Sequence, residues 1–205
     1  MNKVIVLDCE TTGVAKTDQV IELAYAHLSD LASHRNLPVD HHFQYIDVNH
    51  TNHRFYPNAP IHQEAFNCHG IGLSALEGYP NPCRVEVPQV DYIVGHNVAT
   101  FDKRLLSQSN TALTEQLEKV KYIDTIVLAR AFKKHVDTKL TAVNLDYLAG
   151  YYYPEIADAL VTPLHSARND ILKTMLVLVA MIKDFAALET WEDLYQFQET
   201  LKKRK

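Results

Sequence analysis

The stretch Val4-Ile5-Val6-Leu7-Asp8-Cys9-Glu10-Thr11-Thr12-Gly13 decides how the rest of the chain is interpreted. An apolar run, typical of a buried strand, leads into two carboxylates separated by one residue. Side chains alternate along a strand, so Asp8 and Glu10 share a face, while Cys9 is expected to face away without effect on the site. Two acids on one face repel each other unless a cation lies between them, and Mg²⁺ prefers such oxygen ligands. An arbitrary D-x-E would more simply face water, but the Thr-Thr-Gly turn that follows favours a metal site.

The composition is that of an ordinary globular protein, with 47% hydrophobic and 22% charged residues among 205. This length predicts one domain with a substantial core. No membrane span is expected, because the longest purely apolar run, Met175 to Ile182, is far shorter than the roughly 20 residues required. No basic leader or cleavage site precedes Val4. Three cysteines without a CxxC pattern argue against a disulfide framework, so we expect a reducing, cytoplasmic location.

The formal net charge of −5 excludes a broad cationic surface that wraps nucleic acid. Four acids gathered in one metal site would account for most of this charge, and bound divalent ions would neutralise them. The charge therefore remains compatible with an enzyme that grips only a short stretch of a nucleic-acid strand.

The N-terminal part predicts three consecutive strands without helices between them. Gln19 to Leu28 reads as the second strand and His42 to Val48 as the third, joined by a polar hairpin loop over Ser29 to His41. This order predicts an antiparallel meander. Glu22 lies in the middle of the second strand; it could be a buried acid near the site, but alternation favours a solvent-facing position.

The irregular segment that follows, Asn49 to Pro60, and a short helical stretch over Ile61 to Phe66 contribute histidines. Four of these lie between His50 and His69, and zinc is one ligand that such a group of histidines could bind. Their irregular spacing and the absence of cysteine pairs favour solvated loop histidines.

A second acid follows a short strand that ends in Gly95-His96-Asn97. Glycine and asparagine suit a tight strand-to-helix turn that presents side chains at the end of a strand. Asp102 then lies in the first turns of a helix, where an acid is also favourable for the helix dipole alone. The strand Lys121 to Asp124 likewise ends in an acid. Asp124 could bind metal, but an N-cap for the next helix is the simpler interpretation.

The last acid, Asp170, lies near the start of a long helix that runs to about Phe185, and His165 precedes it by five residues. A lone histidine before a helix usually caps it or is solvated. A histidine beside acids, with a reference pKa of about 6.5, is also suited to accept a proton near neutral pH. Four carboxylates from three segments can hold two divalent ions about 4 Å apart across a phosphodiester; they are Asp8, Glu10, Asp102 and Asp170.

The motifs DxETTG, HNxxxFD and HxAxxD, in this order, resemble those of the DnaQ-like (DEDDh) 3′–5′ exonucleases. The resemblance spans roughly Lys3 to Ile182. In its length and in the spacing between its motifs, the chain is similar to stand-alone exonucleases of the exodeoxyribonuclease X type. A sister class has tyrosine four residues before the last acid. Here that position is Ser166 and His165 stands five before, which indicates the histidine class.

The resemblance implies an α/β, ribonuclease H-like fold with a mixed five-stranded sheet, its first three strands antiparallel, flanked by helices. It implies one exonuclease domain over residues 1–205, with a motif-bearing core at 3–182 and a C-terminal helix at 190–202. It also implies dependence on two Mg²⁺ or Mn²⁺ ions and release of nucleoside 5′-monophosphates. The implied catalytic residues are the four acids, which bind the metals, and His165 as general base. Those implied near the terminal nucleotide are Thr11, Thr12, Asn97 and Phe101.

The expected partner is a nucleic-acid 3′ end, with DNA favoured over RNA. An exoribonuclease of the ribonuclease T or oligoribonuclease type would use the same five residues, since sugar preference depends on contacts to the 2′ position. A polymerase-associated or nucleic-acid-binding module that has lost activity is a further alternative, and a polymerase or homodimer partner stays open. Candidate phosphate contacts adjoin the motifs: Lys103, Arg104 and Arg168.

Overall fold

A mixed five-stranded sheet forms the centre of the protein, with the strand order β3-β2-β1-β4-β5. The strands are β1 (Val4–Thr11), β2 (Val20–Leu28), β3 (His50–Arg54), β4 (Tyr92–Gly95) and β5 (Lys121–Asp124). β2 pairs antiparallel with β1 and β3, whereas β4 pairs parallel with β1 and β5. The predicted mixed sheet with its first three strands antiparallel is confirmed.

The computed structural model describes residues 2–160 and 165–203. Residues 161–164, directly before His165, and the last two residues, 204 and 205, lie outside this part of the chain. The helices are α1 (Leu31–Arg35), α2 (Val39–Asn49), α3 (Gln63–His69), α4 (Asp102–Ser109), α5 (Thr111–Glu118), α6 (Thr125–His135), α7 (Leu145–Tyr152), α8 (Ala157–Leu160), α9 (Ala167–Ile182) and α10 (Trp191–Lys203). None of the described helices is long and apolar enough to cross a membrane.

β1 is buried on both sides because each face of the sheet carries a core of its own. Val4 and Val6 pack into the core that contains α9, whereas Ile5 and Leu7 pack into the core formed with α4 and α5. α9 lies almost wholly inside the first core, which explains its nearly continuous apolar sequence. Asp8 and Glu10 continue the row of Val4 and Val6, so the alternation of β1 directs both acids toward the α9 side.

The predicted third strand, His42 to Val48, is wrong, because this segment belongs to α2. His42 and Ile46 are its buried residues, and their spacing of four is that of one helix face. Pro38 stands at the N-cap with φ of −58°, which suits a helix start. The actual edge strand is β3, in the segment expected to be irregular. Its polar sequence, HTNHR, fits a half-exposed sheet edge.

The predicted hairpin loop between β2 and the next strand also contains a helix, α1. The carboxylate of Asp30 accepts a hydrogen bond from the Ser33 N–H and so caps its first turn. The connection between the two antiparallel strands is therefore helical. The C-terminal helix expected at 190–202 is α10, and Thr190 with Asp193 forms a capping box at its start. Asn144 caps α7 in the same way, by accepting from the Tyr147 N–H.

Two buried histidines lie where α1 and α2 meet α10. The rings of His34 and His42 stack with centroids 6.0 Å apart, and both residues are about 2% exposed. Burial lowers the pKa of His34 to about 4, with a smaller effect from His42, and burial also lowers the pKa of His42. The rings are therefore neutral in the folded protein at physiological pH.

We expect acid to destabilise the protein through His34. The pKa of its ring is about 6.5 in an unfolded chain and about 4 when folded, so the unfolded state binds more protons between these values and stability falls as pH drops through that window. His34→Gln keeps an acceptor for the Ser29 N–H and should reduce the loss between pH 7 and pH 5 by about 2 kcal/mol. Urea unfolding at both pH values measures this. The exposed His135→Gln is the control, and equal losses in both variants would contradict the assignment.

Candidate active site

Three of the four predicted acids meet at the end of β1. Carboxylate oxygens of Asp8, Glu10 and Asp170 lie within 4.8 Å of one another. β1 contributes the first two, and the first turn of α9 contributes the third. The Ser166 hydroxyl caps α9 by accepting a hydrogen bond from the Asn169 N–H, which fixes where that turn begins.

Asp102 is buried at the start of α4, outside this 4.8 Å group but near enough for its charge to raise the pKa of Asp8 and Glu10. It approaches from the opposite face of the sheet, where Cys9 belongs to the core. Burial raises the pKa of Asp102 to about 7, and backbone groups and Cys9 beside the carboxylate act in the opposite direction. Cys9 faces away from Asp8 and Glu10, as expected, but lies on the side from which Asp102 approaches. That Cys9 has no effect on the site stays a prediction.

The pKa values of the acids show how strongly their charges oppose one another. Burial, followed by the charge of Asp170, raises the pKa of Asp8 well above its usual range and that of Glu10 to about 8. In the described part of the chain, Glu10 Oε1 and Asp102 Oδ1 are buried without a hydrogen-bond partner. Orphaned oxygens among mutually repelling carboxylates fit a hard divalent cation such as Mg²⁺ or Mn²⁺.

His165 belongs to a closed ring of four charged side chains that also contains Asp146, Asp170 and Lys173. Its Nδ1 lies 3.0 Å from Asp170 Oδ2 and its Nε2 lies 3.1 Å from Asp146 Oδ2. The Lys173 ammonium closes the ring, 2.6 Å from Asp146 Oδ1 and 2.5 Å from Asp170 Oδ1. Hydrogen bonds to Asp146 and then Asp170 raise the pKa of His165 to about 10, and the hydrogen bond from His165 together with Lys173 lowers the pKa of Asp146.

Sequence reasoning missed both Asp146 and Lys173. Lys173 is 1% exposed, and a lysine on the stripe side of a helix is otherwise rare in a protein core. The position of Lys173, three residues after Asp170 on the same helix, could have indicated this ion pair from the sequence, because a buried ammonium requires an acidic partner nearby.

Glu22 is also buried, at 1% exposed, so the preferred solvent-facing interpretation is wrong. Its Oε1 accepts hydrogen bonds from Arg54 Nε at 2.9 Å and from Asn52, and its Oε2 accepts from the Ala167 N–H at the start of α9. Glu22 lies opposite Glu10 in the β1–β2 register, and its charge contributes to the raised pKa of Glu10. Its cationic partner comes from β3, the strand that the sequence interpretation misplaced.

The turn between β4 and α4 is held from behind by Asp124. Asn97 has φ of +63°, and a Cβ on Gly95 would lie 2.4 Å from Val98 Cβ, so both residues suit this tight turn. Asp124 accepts hydrogen bonds from the N–H groups of Asn97 at 2.8 Å and of Ala99 at 3.2 Å. It also accepts one from the Ile126 N–H, which confirms the predicted N-cap of α6. Asp124 therefore positions two segments at once.

A pocket of about 500 Å³ opens beside the acids. It is lined by Cys9, Glu10, Thr11, Gly13, Val14, Ala15, Asp18, His62, Glu64, Ala65, Cys68, His69 and Phe101. Of the residues expected near a terminal nucleotide, Thr11 and Phe101 line the pocket. Thr12 is buried and donates to Asp18, and the side chain of Asn97 accepts from the Thr100 hydroxyl.

The four histidines between His50 and His69 do not form a metal-binding group in the described residues. His69 is buried rather than solvated: its Nε2 lies 3.1 Å from Thr11 O and its Nδ1 accepts from the Ile71 N–H. It thus ties the end of α3 to the end of β1. His62, largely exposed, lies 3.2 Å from Asp18 in the loop after β1.

The three cations expected to contact phosphates already have partners. Lys103 lies 3.1 Å from Glu118, and Arg168 pairs with Asp47 of α2. Arg104 donates to the carbonyl groups of Val14 and Ala15, at 3.0 and 2.9 Å, and thereby fixes the loop that rims the pocket. Their role as phosphate contacts stays a prediction.

Divalent ions should stabilise the protein, and more at pH 8 than at pH 6. At pH 6 an ion must displace protons from Glu10 and Asp102, whose pKa values are raised to about 8 and about 7, whereas at pH 8 Asp102 is mostly ionised and Glu10 about half ionised. Melting temperatures with and without Mn²⁺ at both pH values measure the effect. Glu10→Gln should lose most of the gain and the exposed Glu77→Gln should keep it. An equal gain at both pH values, or an undiminished gain in Glu10→Gln, would locate the ion elsewhere.

Lys173→Met should destabilise the protein by about 3 kcal/mol, because it removes the buried one of the two cations that face Asp146 and Asp170. The exposed Lys183→Met, at the other end of the same helix, should change stability by less than about 0.5 kcal/mol. Urea unfolding compares the two. Mn²⁺ should recover part of the loss in Lys173→Met by supplying positive charge at Asp170. Equal, small effects in both variants would show that the ammonium does not hold this ring together.

Comparison with known proteins rests on structure alone. No family model and no curated protein matches the sequence. Exonuclease X in complex with 5′ overhanging duplex DNA matches with a TM-score of 0.62 and 20% identity, over 95% of this chain and 99% of that one. A zinc-bound complex of E. coli exonuclease I with single-stranded DNA matches with a TM-score of 0.67 and 15% identity, over 98% of this chain.

Another exonuclease I structure matches with a TM-score of 0.68 and 15% identity. The chain spans 43% and 44% of the two exonuclease I chains, but nearly the whole of exonuclease X. At these identities the likeness concerns the fold. The predicted ribonuclease H-like α/β architecture is therefore confirmed: this chain has the fold of these exonucleases.

Proposed function

We propose that the protein is a metal-dependent 3′–5′ exonuclease that removes nucleoside 5′-monophosphates from nucleic acid, with DNA as the favoured substrate. The main support for this proposal is that carboxylate oxygens of Asp8, Glu10 and Asp170 lie within 4.8 Å of one another. His165 lies beside them, and so does a pocket large enough for a nucleotide. The similar folds of exonuclease X and exonuclease I, both solved with DNA, support the same substrate class.

The four acids Asp8, Glu10, Asp102 and Asp170 would hold two divalent ions. When bound, such ions lower the pKa of a water molecule and stabilise the negative charge of a leaving oxygen. The donor set is entirely oxygen, which suits Mg²⁺ or Mn²⁺, and its raised pKa values show that the protein itself does not supply enough positive charge.

His165 is the general base of the proposed reaction. The attacking water gives its proton to the imidazole while its oxygen bonds to phosphorus. The bond from phosphorus to the 3′ oxygen of the preceding nucleotide breaks, and that oxygen takes up a proton. The products are a nucleoside 5′-monophosphate and a strand with a new 3′-hydroxyl.

In the observed arrangement both nitrogens of His165 face carboxylates, and the pKa of about 10 keeps the ring protonated. A general base must be neutral and must have a free nitrogen. The ring therefore has to leave at least one acid before it can act, and its position in the loop ahead of α9 permits that movement. Asp146 is the partner to be released, since Asp170 is also needed at the metal site.

The pocket would hold the terminal nucleotide. Thr11 and Phe101 both line it, and the ring of Phe101 supplies an apolar wall. Thr12, buried behind Thr11, is proposed to contribute only through its main chain. Arg104 lies 5.7 Å from the centroid of that ring while it holds the Val14 and Ala15 carbonyls. Asn97, in the turn above Asp124, is proposed to contact the same nucleotide. The pocket thereby favours a strand end over an internal position.

We expect the protein to digest end-labelled single-stranded DNA from its 3′ end in Mg²⁺ or Mn²⁺ and to stop in EDTA. Parallel reactions with duplex DNA and RNA define the preferred substrate. A 3′-phosphate or a closed circle should resist, because neither offers a free 3′-hydroxyl end. Asp8→Asn should be inactive. Rapid internal cutting of a circular strand, or digestion in EDTA, would overturn the proposed function.

His165→Ala separates a catalytic from a capping role. As general base, His165 should be replaceable without loss of fold or DNA binding, while the rate should fall by about 10² to 10⁴-fold. The wild-type rate should rise with pH as the imidazole loses its proton, and this rise should vanish in the variant. Steady-state rates across pH, with binding measured in Ca²⁺ or EDTA, test this. A variant with near-normal turnover and an unchanged pH profile would remove His165 from the mechanism.

A further inference from the structure

Helix α6 carries a row of cations that the candidate active site does not use. Arg130, Lys133 and Lys134 are exposed and stand at positions i, i+3 and i+4, which lie on one face of a helix. We call this set the basic face. The other side of the same helix is buried through Leu128, Ala129 and Phe132. The row therefore points away from the core.

The basic face begins next to the candidate active site. The Oγ1 of Thr125, the first residue of α6, lies 2.8 Å from Nδ1 of His96 in the turn before α4. Burial lowers the pKa of the His96 ring, and Arg130 is close enough for its charge to add a smaller effect in the same direction. From there the helix extends for 11 residues, or about 16 Å, so its cations lead away from the site.

The charge of this segment is opposite to that of the protein. Residues 130–139 contain four lysine or arginine residues and a single acid, Asp137, whereas the whole chain carries −5. In the described ranges, Arg130, Lys133 and Lys134 form no ion pair; the Lys133 ammonium donates only to the carbonyl of Thr141. The cations beside the motifs, in contrast, are occupied by Glu118, Asp47 and loop carbonyls.

A favourable interaction with the helix dipole accounts for part of this pattern. Cations in the last turn of a helix are stabilising, which covers Lys133 and Lys134. Arg130 lies outside the last turn, so the dipole does not explain why the row extends back toward the site. A local positive excess on an acidic protein attracts polyanions to that place.

We propose that the basic face binds the backbone phosphates of a single nucleic-acid strand a few nucleotides before its 3′ end. This inference rests on the proposed function and adds the path that the strand takes. Cβ atoms at i, i+3 and i+4 are about 5–6 Å apart, which allows one cation for each of successive phosphates of one extended strand. A single row of this kind matches one strand, because both strands of a duplex would require two rows.

The test compares two triple variants. Arg130→Ala/Lys133→Ala/Lys134→Ala removes the basic face, and Lys3→Ala/Lys119→Ala/Lys183→Ala removes the same charge from exposed positions on other elements. Fluorescence anisotropy in EDTA measures Kd for a labelled single strand of about 12 nucleotides, the order of length that such a groove and pocket would cover. The first variant should raise Kd about tenfold or more and reduce the slope of log Kd against log salt by about 2. The control should leave both nearly unchanged.

Activity provides a second readout. The basic-face variant should raise KM for the long strand and leave kcat unchanged. It should cleave a dinucleotide as the wild type does, since the proposal places the basic face a few nucleotides before the 3′ end, beyond the length of a dinucleotide. Because Lys133 also holds the Thr141 carbonyl, the double variant Arg130→Ala/Lys134→Ala separates loss of charge from loosening of that loop. It should show most of the same increase in Kd.

Unchanged Kd and salt slope in the basic-face variant would overturn the proposal, as would an equal loss in the control triple. A tenfold loss on the dinucleotide as well would show that the variant damages the active site rather than the strand path. These outcomes are separate from failure of the proposed function. A wild-type protein that binds the strand through the basic face but never hydrolyses it would overturn the exonuclease proposal and support this one.

Discussion

Mutual repulsion among buried carboxylates is the constraint on which the rest of this structure depends. Asp8, Glu10 and Asp170 lie within 4.8 Å of one another, and Asp102 lies close enough to add to the raised pKa values of Asp8 and Glu10. Carboxylates so placed cost free energy in any compact protein unless a cation or a proton compensates them. These carboxylates are clustered at the end of the central strand. Such a local cluster of strongly perturbed groups is typical of a functional site rather than of a stabilising core.

The surrounding elements are rigid where the acids need to be held. β1 is covered on both faces, so neither Asp8 nor Glu10 can move away from α9 without disturbing a core. The Asn97 turn that precedes Asp102 is fixed by Asp124, whose own N–H donates to the buried Gln198 of α10. Gln198 also donates to the Tyr122 carbonyl and thereby occupies the free edge of β5 as a neighbouring strand would. The C-terminal helix is thus coupled to the site through two hydrogen-bonded residues.

Sequence alone predicts most of this architecture, because the motif-bearing elements carry strong local signals. The apolar run into Asp8, the Gly95 turn and the long stripe after Asp170 each predict their element within a few residues. The third strand could not be predicted in the same way, because β3 is short, polar and at the sheet edge. The segment that forms α2 contains aromatic residues, which are typical of strands, and was therefore predicted as one. Long-range charge partners were also out of reach. The burial of Glu22 depends on Arg54, and that of Lys173 on Asp146, pairs that only the tertiary fold brings together.

The protein's own cations are distributed unevenly over the acids of the site. Arg54 compensates Glu22, and Lys173 and His165 compensate Asp146 and share Asp170. These acids stand behind or beside the central cluster. Asp8, Glu10 and Asp102 are without an ion pair in the described residues, and burial raises their pKa values. Internal ion pairs therefore hold the supporting acids in place, while these three acids are left for an external cation to compensate, as the proposed function requires. This division explains how one small region can be a stable part of the core and, as proposed, a site for external cations.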